Sequence, residues 1–243
     1  MIRLQRTDPP DELVSKLDAR TRRLGSADAD TARRRWKSAR DLRALLREEL
    51  SRFAAGLNRC MYCGDNLGTD VDHFEPITRA PERTFDWLNH LLACSCCNSH
   101  AKGFAFPLDQ HGAPLLIDPT AEDPYDHLEL RLSVGRYVHL THKGRVTIDL
   151  LRLNRADLER GRALAFVRTS SMLRDVSHLV EDGRADRAEA VMDALLCHPF
   201  ADVLHAMLRL RRLPGAAAVL DGPEVLGALE LVAAHSGRTT GRT

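Results

Sequence analysis

An α+β fold is predicted for this 243-residue chain, and three observations predict it. Apolar residues recur at helical spacing on both sides of a central segment. That segment carries two paired-cysteine turns and few helix signals. Just beyond it, short stretches alternate apolar and polar residues, as strands do. The expected layout is an N-terminal helical arm over 1–59 and a β-β-α core clamped by its cysteines over 60–127. A small antiparallel meander over 128–149 and a C-terminal helical domain over 150–243 complete it.

The elements follow in order. Residues 11–24 read as a helix with Asp11 as its cap. A longer helix is expected over about 29–56, where Leu42, Leu45, Leu46, Leu50 and Phe53 share a face and Gly56 suits a C-cap. Arg33, Arg34, Arg35, Lys37 and Arg40 crowd its first half. That run reads equally as a phosphate-contacting face or a solvated one. In the core, a strand ends near Val71, a loop runs through EPITRAPERTFDW, a second strand lies near HLLA, and a short helix starts about Asn98. Residues 114–127 read as an extended loop. LELRLSV, YVHLTH and RVTIDL are expected to form a three-piece meander with turns at Gly135 and Lys143-Gly144. Helices are expected over 155–181, 184–196, 199–213 and 223–235, punctuated by Gly183, Pro199, Pro214 and Pro223. The GRTTGRT tail is expected to be disordered.

Six cysteines occupy positions 60, 63, 94, 96, 97 and 197, five of them within 38 residues. Such clustering in an intracellular chain favours metal over disulfides. Cys60-Met-Tyr-Cys63 and Cys94-Ser-Cys-Cys97 are two turns separated by 30 residues. Each presents two thiolates, and together they complete a tetrahedral shell for a structural Zn²⁺. A closed four-thiolate shell leaves no open position for chemistry. A redox-active pair, or buried free thiols, is the competing reading. Cys96 falls outside the standard spacing, and Cys197 is expected to be a buried small hydrophobe.

Net charge is +1, unevenly spread. Residues 1–59 carry 15 basic and 9 acidic side chains, residues 60–127 carry 3 and 11, and the remainder 17 and 14. A cation suits the acidic centre, and a polyanion suits the flanks. No apolar run approaches the ~20 residues that cross a bilayer, and the N-terminus lacks an apolar signal region. A soluble, cytoplasmic protein without membrane association is expected.

Between the cysteine turns lie Asp72, His73, Asn89 and His90, and Asn98 follows Cys97 directly. One shared zinc would close the loop that carries Asp72-His73 onto the helix that Asn98 begins. A carboxylate and an amide oxygen make a sparse, hard-oxygen site suited to Mg²⁺ or Mn²⁺, with water and substrate phosphate filling the shell. A neutral His beside it can withdraw a proton from water. This set is sufficient for phosphodiester hydrolysis. His90 as a further ligand, His100 on a phosphate and Glu75 beside the metal are weaker candidates. Asp70 reads as solvent-facing, and Asp86-Trp87 as a loop anchor through a buried indole.

The stretches CMYCG, VDHFEPI, FDWLNHLLACSCCNSHAKG and FPL together resemble the HNH (ββα-metal) endonucleases, in the variant whose last His is Asn. The resemblance covers about 50 residues. It implies that His73 is the general base, that Asp72 and Asn98 ligate the catalytic Mg²⁺ or Mn²⁺, and that Asn89 braces the loop carrying His73. It points to DNA as substrate. The Lys that follows the Asn position falls at Lys102, one residue later than in the commonest spacing. MIRLQR, the Arg-rich helix, LLIDPTAEDPYDHL and TIDLLRLNRADLERGR are similar to the HNH effectors of bacterial anti-phage systems such as Septu and related retron modules. That similarity implies an ATPase partner. Near-neutral charge agrees, because unassisted non-specific affinity comes from neutralising phosphates. Phosphate contacts carry no base information, so sequence preference is not read. The alternative is a non-catalytic zinc-knuckle scaffold that binds nucleic acid or protein; it has no need of Asp72, His73 and Asn98 together.

Overall fold

Helix α1 spans Asp11–Leu24 and buries Leu13, Leu17 and Leu24 along one stripe. Acidic Asp11 and Glu12 open it, and Arg22 and Arg23 close it, complementing the helix dipole. Asp11 is not the cap that the sequence suggested. Pro10 holds that position, and Asp11 is the first helical residue. Helix α2 (Ala29–Ser38) is capped by the Asp28 carboxylate on the Thr31 amide at 2.7 Å. Helix α3 (Arg40–Ser51) buries Leu42, Leu46 and Leu50. Each such side chain contributes about 1.5–3 kcal/mol of burial. The computed structural model describes residues 1–239 of the chain.

The single helix expected over 29–56 is thus two helices. Ala39, at φ −86° and ψ 53°, leaves the helical region, and its amide bonds the Trp36 carbonyl. It is fully buried, packed into one core with Leu13, Leu17, Ile77 and Phe85. Tertiary packing overrides the high helix propensity of alanine here. The second half stops at Ser51, ahead of turns at Gly56 and Asn58, both with positive φ.

Strand β1 (Asp70–His73) pairs antiparallel with β2 (His90–Ala93), Asp72 opposite Leu91 and His73 opposite His90. The first strand therefore runs two residues past Val71. The short helix is a π-helical segment, Cys96–Lys102, starting two residues before Asn98. Strands β3 (Leu128–Arg131) and β4 (Arg136–His139) form a separate two-stranded sheet. The expected third piece, RVTIDL, is instead helical, inside α4 (His142–Leu151). Its β-branched residues read as a strand. However, Gly144, Thr147, Ile148 and Leu151 bury at helical spacing, and the Thr141 hydroxyl caps the Gly144 amide.

Two compact units result: Met1–Glu129 with His139–Leu153, and Leu130–Val138 with the chain from Asn154 onward. The arm over 1–59 and the core over 60–127 thus share one unit, and the 128–149 segment contributes to both. In the first unit α4 packs on the π-helical segment. The N-terminal stretch is strapped to the loop before β3 by Leu4 N–H to Pro119 O at 2.8 Å.

The second unit is built on α5 (Ala156–Glu181), α6 (Ala185–Leu196), α7 (Ala201–Leu210), α8 (Ala216–Val219) and α9 (Pro223–Thr239). α6 and α9 pack along α5, with Leu173, Val176, Met192, Val203, Met207, Leu229 and Val232 buried. Buried Arg162 meets the Asp202 carboxylate at 3.0 Å, and the Tyr137 hydroxyl donates to the same oxygen at 2.6 Å. Gly135, at φ +66°, is required there: a Cβ would lie 2.0 Å from the Glu159 carbonyl oxygen. Cys197 is exposed at the C-cap of α6, not buried as expected. The first three residues of GRTTGRT continue α9 through Thr239, and the last four lie outside the described residues. Among the described residues no single helix is long and apolar enough to cross a membrane.

Candidate functional site

The first cysteine turn follows α3, and the second follows β2. Gly64 N–H bonds the Cys60 carbonyl at 2.9 Å, and Gly64 takes φ +70°, which closes the first turn around its two thiols. Met61 N–H bonds Leu92 O at 2.9 Å and ties that turn to β2. The sulfurs of Cys60, Cys63, Cys94 and Cys97 all lie within 4.8 Å of one another, and all four residues are buried. Cys63 and Cys94 sulfurs are 3.9 Å apart. A tetrahedral zinc with sulfurs at ~2.3 Å requires about 3.8 Å between them, whereas a disulfide requires about 2.0 Å. All six cysteines are free. The cluster fits Zn²⁺, and exposed Cys96 stands outside it.

Asp72 and His73 sit at the end of β1, and both border one cleft. The Asp72 carboxylate, 3% exposed, accepts from the Tyr62 hydroxyl at 2.7 Å and from Lys102 Nζ at 3.0 Å. Lys102, 2% exposed, also donates to the His73 carbonyl at 2.7 Å. Burial pushes the Asp72 carboxyl up; the Lys102 ammonium and the Tyr62 hydroxyl oppose it. Lys102→Met strands a buried carboxylate and is expected to lower stability by about 3–5 kcal/mol, while adding Asp72→Asn recovers part of the loss. Urea unfolding of the two variants measures both.

His73 Nε2 lies 3.0 Å from the Thr84 carbonyl oxygen, and His90 Nε2 lies 3.1 Å from the same oxygen. A carbonyl only accepts, so each Nε2 carries the proton and each Nδ1 keeps a lone pair. Trp36 packs edge-on to His73 at 4.4 Å and stacks on His90 at 5.2 Å. Burial holds the His73 imidazole down at about 4, so its ring is neutral at pH 7. The His90 ring is fully buried, and its Nδ1 meets no hydrogen-bond partner among the described residues.

Asn89 pins the intervening loop. Its Oδ1 accepts from the Glu75 amide at 2.8 Å, and its Nδ2 donates to the Glu75 and Arg83 carbonyls at 3.0 and 3.2 Å. Phe74 N–H bonds Asn89 O at 2.8 Å. From the other side Arg6 donates to the carbonyls of Trp87 and His90 at 3.0 and 2.9 Å. The indole of Trp87 is half-buried, against Phe53.

Asp72, His73 and Asn98 line one cleft of about 470 Å³, together with Arg33, Trp36 and Lys37. Ser99, Gly103 and Phe104 also line it. All three residues of the sequence-predicted set thus border this cleft. Each carboxylate oxygen of Asp72 retains acceptor capacity beyond Tyr62 and Lys102. The remaining candidates separate from it. Glu75 is committed to Arg79 and Arg83 at 3.1 and 2.9 Å. His100 is exposed and bonds Ser95 O at 3.0 Å, and His90 lies behind Trp36 and does not line the cleft. Trp36, Tyr62 and Thr84 were absent from the sequence-level site. Trp36 alone left a trace, as the aromatic residue inside a basic run.

Compared with known proteins, the chain matches no family model and no curated protein. It is a mixed chain of helices and small antiparallel sheets, with four buried cysteines spaced to hold zinc.

Proposed function

We propose that this chain is a metal-dependent endonuclease of the HNH type that hydrolyses DNA phosphodiester bonds. The observation that carries the reading is the joint lining of one cleft by Asp72, His73 and Asn98. The triad stands beside basic Arg33 and Lys37, suited to a phosphate backbone.

The proposed chemistry assigns a task to each residue. The Thr84 carbonyl holds the His73 Nε2–H, so Nδ1 is the basic atom. As water attacks phosphorus, one water proton passes to Nδ1, a P–O bond forms, and the bond to the 3′ oxygen breaks. The departing oxygen takes its proton from solvent, and His73 returns its own to solvent. Asn89 keeps the loop rigid, which keeps the imidazole aligned; misplacement of a base by an ångström costs large factors in rate. Lys102 and Tyr62 fix the Asp72 carboxylate against rotation. Mg²⁺ or Mn²⁺ held by Asp72 and Asn98 would polarise the phosphate and neutralise charge on the leaving oxygen.

The same reading extends to an anti-phage effector that works with an ATPase. Its support is the resemblance outside the nuclease segment and the near-neutral charge, which gives little free-standing affinity for DNA. Two of the four stretches carrying that resemblance meet in space: Arg6 donates to Thr120 Oγ1 at 3.0 Å.

Supercoiled plasmid tests the proposal. Purified protein is expected to nick it when Mg²⁺ or Mn²⁺ is added and not when divalent ion is withheld. Absence of ion-dependent nicking, both alone and with a co-encoded ATPase, would leave the zinc-knuckle scaffold as the reading.

A further inference from the structure

Phe104 stands at the rim of the cleft with 72% of its surface exposed. A single exposed aromatic is ordinary on a protein surface. This one is set apart by what surrounds it. The Arg33 guanidinium lies over the ring at 4.9 Å from its centroid. Lys37 lines the same cleft, as do His73 and Asn98. The backbone that carries the ring is also held in place. Gly103, at φ +52°, turns the chain out of the π-helical segment with its amide on Asn98 O at 2.7 Å. Ala105 N–H then bonds Lys102 O at 2.9 Å, so the backbone is fixed on both sides of Phe104. A preset ring loses little freedom on binding.

A basic rim beside an exposed aromatic ring is the combination that grips unpaired nucleic acid: cations track phosphates while bases stack. In a duplex the flat faces of the bases are already stacked on one another, and only an unpaired base offers one. We propose that Phe104 is a stacking platform for an unpaired nucleobase next to the scissile phosphate, making single-stranded DNA, or a locally opened strand, the preferred substrate. This rests on the nuclease reading and names its substrate class.

The test uses fluorescence anisotropy of the full chain, without added divalent ion, on a short oligothymidylate and on a blunt duplex of equal length. Wild type is expected to bind the single strand more tightly. Phe104→Ala is expected to weaken single-strand binding by roughly 5- to 100-fold, the range for loss of one base-stacking aromatic, and to leave duplex binding unchanged. Phe104→Trp retains single-strand affinity, while Phe104→Leu, which keeps apolar area but not the π face, loses it. Single-strand binding unchanged in Phe104→Ala, equal losses on both probes, or wild-type affinity in Phe104→Leu each overturn the platform. If plasmid nicking persists beside any of those results, the nuclease reading stands and the platform alone falls. If neither probe binds and no plasmid is nicked, both alone and with the co-encoded ATPase, the nuclease reading fails and the platform with it.

Discussion

His73→Ala is expected to reduce plasmid cleavage by about 10²–10⁴-fold, the contribution of a positioned general base, while leaving the fold and zinc content intact. The two halves of that expectation have separate causes. On the proposed mechanism the rate falls because His73 acts as the neutral base: its Nε2 is tied to Thr84 O, and Nδ1 carries the lone pair. The fold survives because the Thr84 carbonyl keeps a donor, His90 Nε2, at 3.1 Å. The void left by the imidazole borders Trp36 and His90, and its cost is about 1–3 kcal/mol, typical of a core truncation. Added imidazole is expected to restore part of the cleavage, which a purely structural loss would not allow. Thermal unfolding, zinc content and plasmid cleavage together check the claim. Cleavage at wild-type rate in His73→Ala would remove His73 from the chemistry. A large drop in melting temperature would recast it as a structural residue.

How much of this was legible in the sequence depends on how local the cause is. The cysteine turns were legible because each C-x₂-C-type spacing is a local geometric requirement; the 3.9 Å between Cys63 and Cys94 comes from the fold that brings the two turns together. Asp72, His73 and Asn98 were expected near one another because closing two such turns on one ion draws their flanking residues together, and all three line the cleft. Asn89 carried an expected bracing role, and its three hydrogen bonds to Glu75 and Arg83 give that role a physical form. The Asp72–Lys102 pair was not legible: 30 residues separate its members, and no periodicity links them. Thr84 acts through its backbone carbonyl, which every residue possesses, so no side-chain pattern could announce it. The break at Ala39 was hidden because alanine favours helix, and only burial against Leu13, Leu42 and Phe85 explains it. The helical RVTIDL stretch could have been found, since Thr141 three residues ahead of Gly144 is a capping signal. Three consecutive β-branched residues, Val146, Thr147 and Ile148, outweighed it.

With zinc in the four-cysteine cluster, its removal is expected to unfold the first unit. Structural zinc in small cysteine sites contributes roughly 10–16 kcal/mol of apparent binding free energy at pH 7, as much as the whole stability of a typical domain. The sheet it clamps is only two strands of four residues each, too small to persist alone. What supports that sheet is α3 on one side and the two cysteine turns at its ends, joined by Met61 N–H to Leu92 O and Asn98 N–H to Cys94 O. Without the ion, four thiols remain in one buried cluster, with an apolar shell of Tyr62, Leu91 and Leu92 too small to hold it. Cys63→Ala, or a strong zinc chelator, is therefore expected to abolish the cooperative transition of this unit and all cleavage. The helices α5–α9 contain no ligand of the cluster, so much of the far-ultraviolet helical signal is expected to remain. Because thiolates must be deprotonated to hold the ion, the same loss is expected on acidification: protonation of the cysteines releases zinc, and stability falls as pH falls. Zinc titration into the stripped protein, followed by near-ultraviolet circular dichroism, reads the recovery. A protein that keeps its melting transition and its activity after zinc is removed would show that packing alone holds Cys60, Cys63, Cys94 and Cys97 together.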